Sequence, residues 1–195
     1  MEHFGAEVTI SVDPKEIAGA ERLVLPGVGA FGDCMMGMEA RCLIEPLKTF
    51  ADTGRPFMGI CVGMQALMDS GEEFGDHAGI GMIPGTVRAI PATNADGDAH
   101  KVPHIGWAPL TLPEGAAASY WRGSLLDGIA LEETVYFVHS YTALPQDASH
   151  RLADTWYNGR LIAAAVSREN VTGLQFHPEK SGDVGLKVIK NFLTL

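Results

Sequence analysis

The sequence predicts a single α/β domain, an open mixed sheet that is mainly parallel at its centre and flanked by helices. Three observations carry this expectation. In the first half short apolar runs alternate with helix-like stretches, and the order strand, helix, strand, helix gives a parallel sheet covered on both faces. In the second half short strand-like runs are separated by turns, which adds antiparallel strands. The length, 195 residues with 46% hydrophobic and 19% charged, suffices for one well-packed core and is too small for two sizeable ones.

Taken in order, the opening residues read as a helix end closed near Gly5, followed by a short strand up to Val12. Asp13-Pro14-Lys15-Glu16 has the composition of a helix start: Asp caps, Pro takes the first helical position and Glu follows three residues after the cap. Arg22-Leu23-Val24-Leu25 is a strand that stops at Pro26-Gly27. The stretch from Asp33 to Thr53 is helical in composition up to Gly54, with Pro46 expected to kink or split it.

Cys34 and Cys42 fall in that stretch, about 12 Å apart along a continuous helix. A disulfide needs Cα atoms within about 7 Å. With Cys61 the only other cysteine, reduced thiols are expected, and Cys34 and Cys42 read as small buried hydrophobes among Met35, Met36 and Met38.

Pro56 to Ile60 is an apolar strand that runs straight into Cys61, and a helix over Val62 to Met68 opens at once. Later strand-like runs cover 81–90, 135–141, 152–157, 161–167 and 171–176. Asn158-Gly159 between two of them is a strong hairpin signal. An amphipathic helix over 184–193 closes the chain, and Pro91 to Ala99 and Pro113 to Ala118 read as surface loops.

The formal charge is −10, from 24 acidic and 14 basic residues, which sets the chain against phosphate backbones and anionic bilayers. Neither nucleic acid nor a membrane is an expected partner. No apolar run approaches the roughly 20 residues that span a bilayer. Met1 to Val8 has no basic segment followed by an apolar one, so a cytoplasmic location is expected. No metal is expected either: His100 and His104 are separated from a shared helix face by Pro103, and no CxxC or HExxH occurs. A phosphate loop and a dinucleotide fingerprint are also lacking, so no cofactor is expected.

Gly59-Ile60-Cys61-Val62-Gly63 sets a cysteine at a sharp strand-to-helix turn, the nucleophile-elbow pattern with sulfur in place of oxygen. A helix N-terminus at such a turn favours the thiolate, and the Val62 N–H becomes a candidate oxyanion donor. Alone, the pattern reads more readily as a buried structural cysteine than as a nucleophile. His177-Pro178-Glu179 supplies the missing base. Pro178 biases His177 toward an extended backbone, so residues 177 and 179 point to one side and the carboxylate can orient the imidazole. Cys61 then attacks an amide carbonyl, His177 carries the proton and Glu179 holds the histidine tautomer.

Gly-Ile-Cys-Val-Gly-Met-Gln over 59–65 with His-Pro-Glu over 177–179 resembles the signature of class I glutamine amidotransferases, in triad order Cys, His, Glu. Leu25-Pro26-Gly27-Val28-Gly29-Ala30-Phe31, Ile105-Gly106-Trp107 and Tyr136-Phe137-Val138-His139-Ser140-Tyr141 are similar to the subfamily that feeds ammonia to histidine biosynthesis. The resemblance covers nearly the whole chain, and it implies one flavodoxin-like glutamine amidotransferase domain over 1–195.

It further implies that Gly27, Val28 and Gly29 form an oxyanion strand beside Cys61, joined by the Val62 N–H. Gln65, with the backbone around Gly29 and around His139, Ser140 and Tyr141, would bind the α-amino and carboxylate groups of L-glutamine. Trp107, Tyr136 and Lys180 would face a partner, a (β/α)8 cyclase subunit that joins the ammonia to a phosphorylated ribulosyl aminoimidazole carboxamide in a heterodimer. Family members usually open with an extra interior strand, whereas this sequence enters partway through the first helix. Loss of that strand is expected to expose apolar surface. Ala108 stands where the family commonly has Asn. Two other readings stand beside this one: a glutaminase or γ-glutamyl hydrolase of another pathway, and a noncatalytic binding subunit.

Overall fold

The computed structural model describes residues 1–195. A 3₁₀ turn at Glu2–Phe4 closes on Gly5, whose φ is 79°. Residues 6–12 then run without regular structure, with Ile10 99% exposed, so the expected strand there does not form. Helix α1 (Pro14–Gly19) starts as anticipated, with Asp13 accepting from the Lys15 N–H at 2.8 Å. Strand β1 (Leu23–Gly27) follows.

The expected long helix is two: α2 (Phe31–Glu39) and α3 (Ile44–Ala51). The break lies before Pro46. Cys42 turns the chain at φ 54°, and Pro46 sits in the first turn of α3, where its missing N–H has no intrahelical partner to lose. Cys42 is consequently exposed and Cys34 half-buried, which corrects the reading of both as buried hydrophobes.

Strand β2 (Phe57–Cys61) leads directly into the five-residue α4 (Val62–Ala66). Then come β3 (Ser70–Gly71), β4 (His77–Ala78), β5 (Gly85–Ala89) and β6 (His104–Pro109). They are followed by β7 (Thr134–His139), β8 (Tyr141–Pro145), β9 (Arg151–Tyr157) and β10 (Arg160–Arg168). Strand β11 (Val171–Leu174), a 3₁₀ turn at Pro178–Lys180 and α5 (Gly182–Thr194) end the chain.

Three sheets form where one was expected. The five-stranded sheet runs β1-β2-β11-β10-β9. Its pairs β1–β2 and β2–β11 are parallel, and β11–β10 and β10–β9 are antiparallel. The expected mixed character with a parallel centre is therefore present, with β1 at the edge. A four-stranded sheet β4-β3-β5-β8 and the antiparallel pair β6–β7 complete the architecture. Asn158 (φ 48°) and Gly159 (φ 76°) form the two-residue turn between β9 and β10, as the sequence signals.

Strand β2 shows why the centre holds. Phe57 packs with Phe31, Phe50 and Met64 on one face, and Met58 with Phe137, Leu174 and Phe192 on the other. Successive side chains alternate faces, so one strand anchors two apolar clusters and carries Cys61 at its carboxyl end.

Candidate active site

Cys61 is both the last residue of β2 and the residue that caps α4, with φ 54° and ψ −114°. That left-handed conformation costs a non-glycine residue about 1–3 kcal/mol, so the surroundings have to impose it. They do so by close packing. A Cβ at Gly63 would overlap the Leu25 carbonyl, one at Gly27 would overlap the Gly63 N–H, and one at Gly59 would lie 2.7 Å from the Gly63 carbonyl oxygen. Gly27 is thus explained by the approach of α4 to β1, while the backbone freedom expected of the oxyanion strand sits at Gly29, where φ is 91°.

A cavity of about 360 Å³ opens over the sulfur. Its walls include Val28, Gly29, Cys61, Val62 and Gln65 on the β1 and β2 side. His139, Ser140, Tyr141, His177 and Lys180 line the other. Gln65 is 3% exposed. Glu179 stands behind His177, its Oε1 2.7 Å from the imidazole Nδ1. A carboxylate only accepts, so Nδ1 carries the proton, and in the neutral ring Nε2 keeps a free lone pair. Nε2 is buried and makes no hydrogen bond. Backbone contacts set the ring's position: the His177 N–H donates to the Tyr136 carbonyl at 2.9 Å, and the Ser181 hydroxyl donates to the His177 carbonyl at 2.6 Å.

Burial pushes the Cys61 thiol above its ordinary pKa. The Val62 N–H bonded to it pulls the other way and is outweighed, and the Glu179 carboxylate adds to the rise. This corrects the expectation of a lowered thiol pKa. Helix α4 is only five residues long, and with Cys61 6% exposed the cost of burying the thiolate outweighs its terminus.

His139 and His104 form a buried pair, Nε2 to Nδ1, at 3.1 Å. Burial holds His139 at about 3 and His104 at about 4, so both are neutral at pH 7. Trp107, Tyr136 and Lys180 gather beside the cavity. The Trp107 and Tyr136 ring centroids are 6.1 Å apart, and Lys180 Nζ lies 5.8 Å from the Tyr136 ring. Trp107 is 55% exposed, which excludes a core role for it.

Three residues near the site were not anticipated. Gln175 is wholly buried and its Nε2 lies 3.8 Å from Cys61 Sγ. The period of two in an extended chain, which puts 175 and 177 on one side, was the available signal. Glu73 lines the cavity and accepts the Phe31 N–H at 2.7 Å, and His104 supports His139. Both reach the site through long-range contacts that leave no local pattern.

Residues 2–195 match the family described as glutamine amidotransferase class-I. The imidazole glycerol phosphate synthase subunit HisH 1 of Legionella pneumophila (strain Lens) is 48% identical over 195 residues, covering 100% of this chain and 91% of that protein. The HisH subunit of Syntrophotalea carbinolica is 45% identical over 193 residues, 98% of this chain and 90% of that one. Among solved structures, a glutamine amidotransferase aligns at TM-score 0.70 with 16% identity, covering 99% of this chain and 88% of its own. The glutaminase domain of Trypanosoma brucei CTPS with bound acivicin aligns at 0.57, also with 16% identity, over 93% and 74% of the two chains. Those two likenesses concern the fold. Sequence family, fold and elbow geometry agree: the chain belongs to the class I glutamine amidotransferases.

Proposed function

We propose that this chain is the glutaminase subunit of an imidazole glycerol phosphate synthase, hydrolysing L-glutamine to glutamate and ammonia in histidine biosynthesis. The observation that carries the reading is Cys61 at a strained elbow in one cavity with His177, whose free Nε2 is backed by Glu179 at 2.7 Å. Cys61 attacks the side-chain carbonyl of glutamine while His177 Nε2 takes the thiol proton, then returns it to the leaving ammonia. Water, giving a proton to His177, adds to the thioester carbonyl; the C–S bond breaks, glutamate is released and the thiol is restored. The N–H groups of Val62 and of the Gly27-Val28-Gly29 stretch are the candidate oxyanion donors. The Gln65 oxygen and the Glu73 carboxylate suit the α-ammonium, and the backbone of Ser140 and Tyr141 suits the rest of the amino-acid head.

The relatives' name, a synthase subunit, fits a chain that works with a second subunit. We assign that partner as a (β/α)8 cyclase subunit seated on Trp107, Tyr136 and Lys180, where half-exposed aromatics and a cation cluster at the cavity mouth. On this reading the chain works in the cytoplasm. No helix is long and apolar enough to cross a membrane.

The test is glutamate release from glutamine by the full chain, alone and with a histidine-pathway cyclase subunit carrying its nucleotide ligand. Low release alone, a large rise with the loaded partner and complete loss in Cys61→Ala are expected. Release that the partner leaves unchanged would favour a glutaminase of another pathway, and partner binding without release would favour a noncatalytic subunit.

A further inference from the structure

The Gln65 side chain is anchored in one orientation. Its Nε2 donates to the Tyr141 carbonyl at 3.2 Å and to Gln175 Oε1 at 3.0 Å. A carbonyl oxygen only accepts, so the NH₂ end of Gln65 has to face Tyr141 and its oxygen is left for the cavity. Gln175 then has to turn its own oxygen toward Gln65 and its Nε2 toward Cys61 Sγ, 3.8 Å away. A second donor steadies the Tyr141 carbonyl: His139 Nδ1 lies 2.7 Å from it. With Nδ1 protonated, the neutral His139 accepts at Nε2 from His104 Nδ1 at 3.1 Å. Gln65, His104, Gln175 and His139 are all buried, so solvent offers these groups no alternative partner.

We propose that Gln175 is the positioning residue of the nucleophile, the last link of a one-way hydrogen-bond relay that starts at the Gln65 amide, anchored on the Tyr141 carbonyl, and runs through Gln175 to Cys61, coupling the sulfur's charge to whatever occupies the free oxygen of Gln65. The inference rests on the glutaminase reading of the site. An N–H facing sulfur is a weak donor to a thiol and a strong one to a thiolate, so the relay favours the charged form. An ammonium at the Gln65 oxygen draws electron density along that amide and strengthens its N–H as a donor. Gln175 is polarised in the same sense, and its bond to the sulfur strengthens in turn. Burial opposes the thiolate. The relay offsets that opposition most when the amino-acid head is bound, and the nucleophile is armed by its own substrate.

The titratable groups facing Cys61 are His177 and Glu179 beyond β11, His139 and Tyr141 at the ends of β7 and β8, and Glu73 and Lys180 on the cavity wall. Substitution at Gln175 leaves all of them in place. The experiment is the rate of Cys61 alkylation by iodoacetamide against pH, read from the mass of the Cys61 peptide. It compares the wild type, Gln175→Met and Gln175→Glu, with and without L-2-aminobutyrate, which carries the α-ammonium and ends short of the sulfur, bringing neither an amide nor a second carboxylate to it.

2-Aminobutyrate is expected to move the wild-type midpoint down. In Gln175→Met the midpoint rises, the thiolate fraction at neutral pH falls about tenfold, and 2-aminobutyrate no longer moves it. Gln175→Glu, which sets an acceptor against the sulfur, rises at least as far. Coincident profiles for the wild type and a folded Gln175→Met would overturn the proposal. The Gln175 side-chain amide resonances of isotope-labelled wild type give a readout that needs no variant. They are expected to shift with the alkylation midpoint, and resonances that stay flat through it would equally overturn the relay. Neither readout requires turnover, so a chain that releases no glutamate would defeat the glutaminase reading while the relay remained open to its own test.

Discussion

His177 is held from two directions that differ in chemistry. Buried backbone bonds to Tyr136 and Ser181 fix where the ring sits, and Glu179, whose side chain is 52% exposed, fixes which nitrogen carries the proton. In the proposed mechanism the second hold is the one that stabilises an imidazolium. Glu179→Gln is therefore expected to keep the fold and lower kcat on the order of a hundredfold, with little change in KM. Steady-state glutamate release measures this, and an unchanged kcat would mean that the backbone bonds alone orient the base.

At the scale of elements, the elbow depends on β1 and α4 touching with no side chain between them. Gly63→Ala would drive a methyl group into the Leu25 carbonyl, and backbone cannot rotate aside as a long side chain can. A loss of at least about 2 kcal/mol is expected in urea unfolding, together with loss of Cys61 reactivity in whatever folds. The start of α1 offers a smaller and cleaner test. Asp13→Ala removes the 2.8 Å cap on the Lys15 N–H and is expected to cost about 1 kcal/mol without touching the site. A Gly63→Ala protein as stable and as reactive as the wild type would contradict the packing account of the elbow.

For the whole molecule the buried histidine pair makes acid the weak direction. Folding lowers His139 to about 3 and His104 to about 4 from 6.5, so below pH 6.5 the unfolded chain binds protons that the folded chain refuses. Stability from this pair is complete above about pH 6.5 and declines as pH falls toward about 4. The decline is roughly 1.4 kcal/mol per pH unit for each histidine. The urea midpoint measured from neutral pH downward is expected to fall, and to fall less steeply in a folded His104→Phe variant, where one of the two titrating rings is gone. A midpoint independent of pH over that range would mean that the pair takes up protons in the folded state.

The parts of this protein that the sequence determined by itself are those with local causes. The cap at Asp13 and the Asn158-Gly159 turn are written in residues a few positions apart, where backbone sterics and short-range hydrogen bonds decide the conformation, and the elbow at Cys61 is signalled locally by its flanking glycines although packing of α4 on β1 imposes its strained backbone. The two-residue step from His177 to Glu179 is of the same kind. Tertiary structure decided the rest. It divided the strands among three sheets, released residues 6–12 from any strand, and moved the helix break from Pro46 to Cys42. It also placed Gln175 and Glu73 at a site whose cysteine lies 114 residues from one of them in the chain. These outcomes depend on which surfaces meet, and burial is a property of the packed whole. The thiol pKa makes the point most directly: sequence logic weighed a helix terminus that would lower it, and packing supplied the desolvation that raised it.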